Sequence, residues 1–295
     1  MNLSIRIRFS LFPILLIVLF LSACGLQLVP SATPTPTVTP TPTATPVPLA
    51  LSVNGEGITV AEFNAELARY QQAQSALGNT VSLETATQAV LDNYIDTLLL
   101  EQAAIAGGYK VDDAALQSRI DSLTGQLGGT DALSAWETAH GYTDADFRSD
   151  LRRQMAAVQM RDQIIASVPS TAEQVHVKQI LLYNSDAAQQ ALGYLKAGWT
   201  FDDLAARYDP VTKGELGWFP RGYLPEAAIE TAAFALQPGQ YSDVIQTQAG
   251  YHILYLEAID PARPLSPDAL LTLQEHALQD WLAQQRNKST ILLAP

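Results

Sequence analysis

The chain has 295 residues, a formal net charge of −13 and a single cysteine, Cys24. The acidic balance argues against binding to the phosphate backbone of nucleic acids, which requires a basic surface. One cysteine cannot form an intramolecular disulfide, and four scattered histidines without His/Cys spacing give no reason to expect a metal site.

Residues 1–23 have the pattern of a secretory signal peptide. A positive start is followed by an apolar run at 9–21 and by two small residues directly before Cys24. The apolar run is shorter than the roughly 20 residues that a membrane-spanning helix needs. Residues 21–24, LSAC, also resemble a bacterial lipobox, so we predict a lipid on Cys24. The alternative is an ordinary signal peptide or signal anchor with an incidental cysteine.

Residues 24–50 form a predicted stalk. Their centre is the Thr/Pro repeat TPTPTVTPTPTATP, which cannot bury a core and favours extended polyproline geometry. At about 3.1 Å per residue, such a segment holds a folded body several tens of ångströms from its anchor.

Residues 51–172 predict a helical domain. After a short strand and turn at 52–57, Thr59 and Glu62 have the spacing of a capping box. Apolar residues then recur at helical spacing through several helices, which end before Pro169. Ser266 and Pro267 predict the start of one more helix, within residues 263–295, that returns to pack on this domain.

Residues 173–262 predict a small α/β domain. A strand at 175–182 precedes a helix that Asp186 is expected to cap and a second helix capped by Thr200. A short helix at 225–235 and strands at 243–247 and 251–258 complete it. The whole chain is therefore predicted to be α+β.

The α/β domain contains four short sequence motifs whose order is informative. GELGWF, AFAL, GQYSDVIQT and GYHIL lie between Lys213 and Glu257. This order resembles the second half of a parvulin-type peptidyl-prolyl isomerase. In the first half of the chain, VNGEGITVAEF, LDNYIDTLLLEQA and GYKVDD resemble the N-terminal domain of secreted foldases of the SurA and PrsA kind, whose helices bind unfolded chains.

The parvulin resemblance implies a set of site residues. Its apolar pocket for a proline ring corresponds here to four positions, namely Leu216, Leu224, Ile229 and Phe219. The second histidine of the family corresponds to His252, and Asp209 falls approximately where the family has Cys or Asp. No cofactor is expected, because turning a peptide bond breaks no covalent bond.

Gln179 occupies the position where the family has its first histidine. Glutamine donates and accepts hydrogen bonds but does not titrate. His176 is no substitute, because side chains alternate along a strand and positions 176 and 179 point to opposite faces.

Two hypotheses therefore stay open. One is an isomerase on the outer face of a bacterial membrane, acting on unfolded or proline-containing secreted polypeptides. The other is a catalytically weak chaperone that holds such chains. A third, a solute-binding lipoprotein, predicts alternating strands and helices in large lobes, which the helical first half does not show.

Overall fold

The computed structural model describes residues 47–294. The predicted signal peptide, Cys24 and almost all of the predicted stalk lie outside these residues. In the described part of the chain, none of the helices combines the length and the apolar character needed to cross a membrane.

The first half of the described chain is helical apart from one hairpin. Its elements are β1 Leu49–Val53, β2 Glu56–Thr59, α1 Val60–Ala76, α2 Leu83–Ala106, α3 Asp113–Leu127, α4 Thr130–Ala139 and α5 Asp144–Ala166. The predicted capping box is present at the start of α1. The Thr59 hydroxyl accepts from the Glu62 N–H at 3.1 Å, and the Glu62 carboxylate accepts from the Thr59 N–H at 2.8 Å.

The second half is built on a four-stranded antiparallel sheet in the order β4-β3-β6-β5. Its elements are β3 Thr171–Leu182, α6 Ser185–Lys196, α7 Phe201–Tyr208, β4 Glu215–Pro220, α8 Ala227–Ala235, β5 Ile245–Gln246 and β6 Tyr251–Pro264. We call residues 171–264 the sheet domain. The predicted α+β class is confirmed.

Several predicted boundaries in the sheet domain were wrong. Asn184, not Asp186, caps α6, because its side-chain oxygen accepts from the N–H groups of residues 186 and 187. The short helix begins at Ala227 rather than at 225. The strand predicted at 243–247 is reduced to β5, because the Ser242 hydroxyl replaces a main-chain carbonyl in bonding the Leu254 N–H.

The chain finally returns to its helical part. The last two elements are α9 Pro267–Lys288 and β7 Ile291–Leu293, and β7 pairs with β1. Trp281 of α9 packs against a buried cluster that includes Leu100 and Ile164, and the Arg286 guanidinium donates to Asp92 and Asp96 at 2.8 Å each. We call β1, β2, α1–α5, α9 and β7 together the helical body. The limits predicted at residues 172 and 262 stay predictions.

Each face of the sheet carries its own core. On one face, Ile180 and Ile253 pack with residues of α6 and α7. On the other, Val175, Val177 and Leu254 pack with Ile229 of α8 and with residues of β4. Because the faces alternate along β3, residue 179 belongs to the face covered by α8.

Candidate functional site

The face covered by α8 holds a chain of three hydrogen-bonded side chains. Gln179 of β3 lies two positions from Leu181, which pairs with His252 of β6, so both side chains emerge on the same face. His252 Nδ1 lies 2.9 Å from Gln179 Oε1, and its Nε2 lies 2.8 Å from the hydroxyl of Thr247, directly after β5. His252 is only 5% exposed.

The hydrogen-bond roles along this chain follow from the donor inventory. An amide oxygen only accepts, so Nδ1 of His252 donates to Gln179. In the neutral ring, Nε2 then accepts from the Thr247 hydroxyl, which itself accepts from the Ala249 N–H at 3.1 Å. Burial lowers the pKa of His252, with the charge of Glu226 acting weakly in the other direction, and so favours the same neutral form.

The four residues predicted for the proline pocket belong to one apolar cluster on the same face of the sheet. Leu216 and Leu224 are partly exposed. Ile229 is 4% exposed, and Phe219 is 1% exposed with its ring edge-on to Phe234. In this structure Leu216 and Leu224 therefore offer apolar surface, whereas Ile229 and Phe219 form the core beneath them.

Glu230 holds the loop that carries Leu224. Its carboxylate accepts from the main-chain N–H groups of Gly222 at 2.8 Å, Tyr223 at 3.1 Å and Leu224 at 3.3 Å. A carboxylate of α8 thus ties the loop after β4 to the helix below it. Sequence reasoning missed Glu230, whose partners lie in a loop without a regular pattern, and Thr247, although the quoted GQYSDVIQT motif ends on it.

Asp209 lies at the end of α7, on the loop that approaches Gln179. Its carboxylate accepts from the N–H groups of Val211 and Thr212 and contacts the Thr212 hydroxyl. The hydrogen bond from the Thr212 hydroxyl lowers the pKa of Asp209 most. Asp209 and Gln179 both line a cavity of about 230 Å³.

A glycine allows this loop to approach the strand. The Gln179 N–H donates to the Gly214 carbonyl at 2.7 Å, and a Cβ at position 214 would lie 1.9 Å from the Gln179 carbonyl oxygen. Gly214 also has a φ of +74°, which side chains disfavour. His176, by contrast, lies on the other face of β3, where its ring stacks on Trp218.

Two family profiles match the chain. The SurA-like N-terminal domain matches residues 6–161, and the PPIC-type PPIase domain matches residues 169–270. The chain belongs to the SurA-like family. The predicted resemblance to parvulins and to foldases of the SurA and PrsA kind is confirmed.

The chain is similar to curated foldases and chaperones of several bacteria. It is 28% identical over 169 residues to the foldase protein PrsA of Bacillus subtilis, which covers 54% of this chain and 57% of that protein. It is 27% identical over 225 residues to PrsA 2 of Bacillus cereus, covering 70% and 76%. It is 28% identical over 200 residues to the chaperone SurA of Dechloromonas aromatica, covering 55% and 45%.

Solved structures include similar chains. A crystal structure of the peptidylprolyl isomerase PrsA from Bacillus cereus has 20% sequence identity and a TM-score of 0.44, covering 81% of this chain and 85% of that one.

Proposed function

We propose that this chain is an extracytoplasmic foldase that catalyses peptidyl-prolyl cis-trans isomerisation. The observation that carries the proposal is the hydrogen-bonded chain Thr247–His252–Gln179 on the same face of the sheet as the apolar cluster that includes the partly exposed Leu216 and Leu224. A neutral, oriented polar group next to apolar surface is what the rotation of a prolyl amide requires.

The reaction sets modest chemical demands. The barrier of about 18–20 kcal/mol comes from lost amide resonance, so a site accelerates the rotation only by binding the twisted amide better than the planar one. Leu216 and Leu224 would hold the proline ring, with Ile229 and Phe219 supporting them from below. These apolar contacts are similar for the planar and the twisted amide. Preferential binding of the twisted amide must therefore come from the polar groups.

Gln179 is the residue best placed to discriminate. Its Oε1 is engaged by His252, which leaves its NH₂ group to donate. In the twisted state the amide nitrogen regains a lone pair and becomes an acceptor for such a donor. His252 thus acts as a positioning residue, with Thr247 fixing its tautomer, and Asp209 contributes a negative charge at the edge of the site.

A relaxation assay on a short proline peptide tests this proposal. The full-length chain, purified in detergent micelles, is compared with Gln179→His, Gln179→Leu and the surface control His276→Ala. We expect weak activity in the wild type, more in Gln179→His, none in Gln179→Leu and no change in the control. If the wild type and Gln179→His both showed only the uncatalysed rate, the proposal of isomerase activity would be refuted.

Chaperone activity without turnover is the second candidate, favoured by Gln179 in the position of a family histidine and by the burial of Ile229 and Phe219. Its test is suppression of aggregation of an unfolded, proline-containing polypeptide. Suppression by the wild type and by Gln179→Leu alike, without any isomerase rate, would select this candidate. Absence of suppression would count against client binding by the helical body.

The anchor is a separate part of the proposal. We infer a lipid on Cys24 that holds the chain at the outer face of a bacterial membrane, with the Thr/Pro segment as a stalk. Support comes from the LSAC motif and the repeat that follows it. Mass spectrometry of the mature N-terminus should find a lipid that Cys24→Ser abolishes. An unmodified Cys24 in the wild type would contradict the anchor without affecting the isomerase proposal.

A further inference from the structure

A cavity of about 230 Å³ lies at the edge of the sheet, beside Gln179. Sites that enclose a whole small molecule measure roughly 300–1,000 Å³, so this cavity suits a single side chain. We call it the edge cavity. Its lining includes Leu181, Tyr183, Tyr208, Asp209 and Gly214. None of the four residues predicted for the proline pocket lines it, so a group that enters it lies outside that pocket.

The edge of β3 is open along this cavity. β4 pairs with β3 only as far as Lys178, and the next residue, Gln179, donates its N–H to the Gly214 carbonyl at 2.7 Å. Because main-chain groups alternate in direction along a strand, the N–H and C=O of Leu181 point the same way, away from β6. Within residues 47–294, no strand pairs with Leu181 on this side. An extended polypeptide can therefore lie along this edge.

Asp209 gives the edge cavity a negative charge. Its carboxylate accepts from two main-chain N–H groups of its own loop at 3.0 and 3.1 Å, and the hydrogen bond from the Thr212 hydroxyl lowers its pKa most. It is therefore ionised at neutral pH. In the described part of the chain, no lysine or arginine forms an ion pair with it. Arg207 and Lys213, the cations nearest to it in sequence, do not line the cavity.

Two tyrosines flank this carboxylate in the lining of the cavity. Tyr183 is 83% exposed, whereas Tyr208 is partly buried and packs against the core beneath α6 and α7. A lysine or arginine side chain has an apolar stem that packs on aromatic rings and a cationic end that a carboxylate binds. The walls and the charge of the cavity therefore match a basic side chain better than an acidic or a small apolar one.

The proposed role of Gln179 determines which residue of a client reaches the cavity. A prolyl nitrogen has three substituents, of which two belong to the ring and the third is the carbonyl carbon of the preceding residue. With the ring on Leu216 and Leu224 and the nitrogen at Gln179, the preceding residue extends away from the apolar cluster. The edge cavity borders Gln179 but no member of that cluster, so it is the space available to this residue.

We propose that the edge cavity binds the side chain of the residue before the proline and selects lysine or arginine there. Asp209 pairs with the cation, Tyr183 and Tyr208 contact the stem, and Leu181 bonds the main chain of the client. This inference rests on the proposed function and adds a substrate class to it, namely unfolded chains that contain Lys-Pro or Arg-Pro. One exposed carboxylate predicts a preference of a few fold rather than strict specificity.

The test uses proline peptides that differ only in the residue before the proline, which is lysine, alanine or glutamate. With the full-length chain in nonionic micelles at low salt, we expect kcat/KM to be about threefold higher for lysine than for alanine and about threefold lower for glutamate. Asp209→Asn, which keeps an oxygen for the loop N–H groups, should abolish these differences, and Asp209→Lys should reverse them. The control Glu275→Gln, exposed on α9, should retain them.

Fluorescence anisotropy of the same peptides, each carrying a dye, separates this inference from the isomerase proposal. If no peptide were isomerised, the proposed activity would fail, but tighter binding of the lysine peptide that Asp209→Asn abolishes would still support the edge cavity. Equal rates and equal binding of all three peptides would overturn the subsite and leave the isomerase intact. A lysine preference that persists in Asp209→Asn would also overturn it, because the cation would then bind elsewhere.

Discussion

In the sheet domain the buried imidazole of His252 is bonded at both ring nitrogens, whereas in the helical body one buried oxygen of Glu101 has no hydrogen-bond partner within residues 47–294. The nearest cation to that oxygen is Arg153, with 3.5 Å between its Nε and Oε2. Both side chains of this pair are largely buried, so neither is freely hydrated.

The two regions compensate in different ways for the water that a polar side chain loses on burial. In the sheet domain, Gln179 and Thr247 replace the water that His252 loses, so the neutral ring is satisfied. In the helical body, burial raises the pKa of Glu101 to about 7, with Glu56 and Asp150 acting in the same direction and Arg153 opposing them. There a proton, rather than a set of partners, relieves the buried charge.

The largest loss of stability is expected from removing the hydrogen-bonded imidazole of His252. His252→Ala leaves a cavity and deprives both Gln179 and Thr247 of their partner. We expect the free energy of unfolding to fall by about 3 kcal/mol in urea denaturation at pH 8. The control His276→Ala, exposed on α9, should stay within about 0.5 kcal/mol of the wild type. Equal stability of the two variants would mean that the bonds of His252 contribute little.

The substitution Glu101→Gln should act in the opposite direction. Unfolded, this carboxyl loses its proton near 4.5, and folded near 7, so the folded state retains more protons between these values. The contribution of Glu101 to wild-type stability therefore falls as the pH rises from about 4.5 to about 7. We expect Glu101→Gln to be more stable than the wild type by about 1–3 kcal/mol at pH 8 and equal to it near pH 4. Parallel pH profiles would refute this interpretation.

Helix capping offers a smaller comparison between the regions. The capping box of Thr59 stabilises α1 in the helical body, whereas Glu226 at the start of α8 in the sheet domain makes no side-chain cap bond. We expect Thr59→Ala to lower the free energy of unfolding by about 1 kcal/mol. Glu226→Ala, measured in the same urea series, should change it by less than about 0.5 kcal/mol. A larger loss in Glu226→Ala would reverse the comparison.

The smallest effect on stability is expected from the titration of His252. Because its folded pKa lies below the ordinary 6.5, the unfolded state binds more protons as the pH falls below 6.5. The contribution of His252 to stability is thus complete above pH 6.5 and declines as the pH falls below it, opposite in sign to the contribution of Glu101. The variant Glu101→Gln removes the Glu101 titration, so the free energy of unfolding of this variant can be followed as the pH falls below 6.5. Adding His252→Gln to the same variant should reduce this dependence on pH. If the double variant showed the same pH dependence of unfolding, a group other than His252 would be responsible for it.

Local patterns predicted the helix starts well. Thr59, Thr200 and Ser266 cap the helices that they were expected to cap, because an N-cap bond joins residues only three apart. The error at Asn184 has the same origin, since Asn184 and Asp186 are both cap-forming residues only two positions apart, and a local pattern does not decide between them. The missed Glu230 bonds three N–H groups six to eight residues away, in a loop without any periodicity.

The sequence by itself determined the order of the helices, the opposite faces of positions 176 and 179, and the motifs that resemble the SurA-like family, because caps and strand alternation are properties of neighbouring residues. It did not predict β4 or β7, which are defined by their pairing with distant strands. Only the tertiary structure decided which distant side chains meet. Gln179 reaches His252 across 73 residues, His176 lies between glutamates from two other strands, and Phe219 is buried beneath its neighbours. These contacts depend on how strands pair and helices pack, which no local pattern specifies.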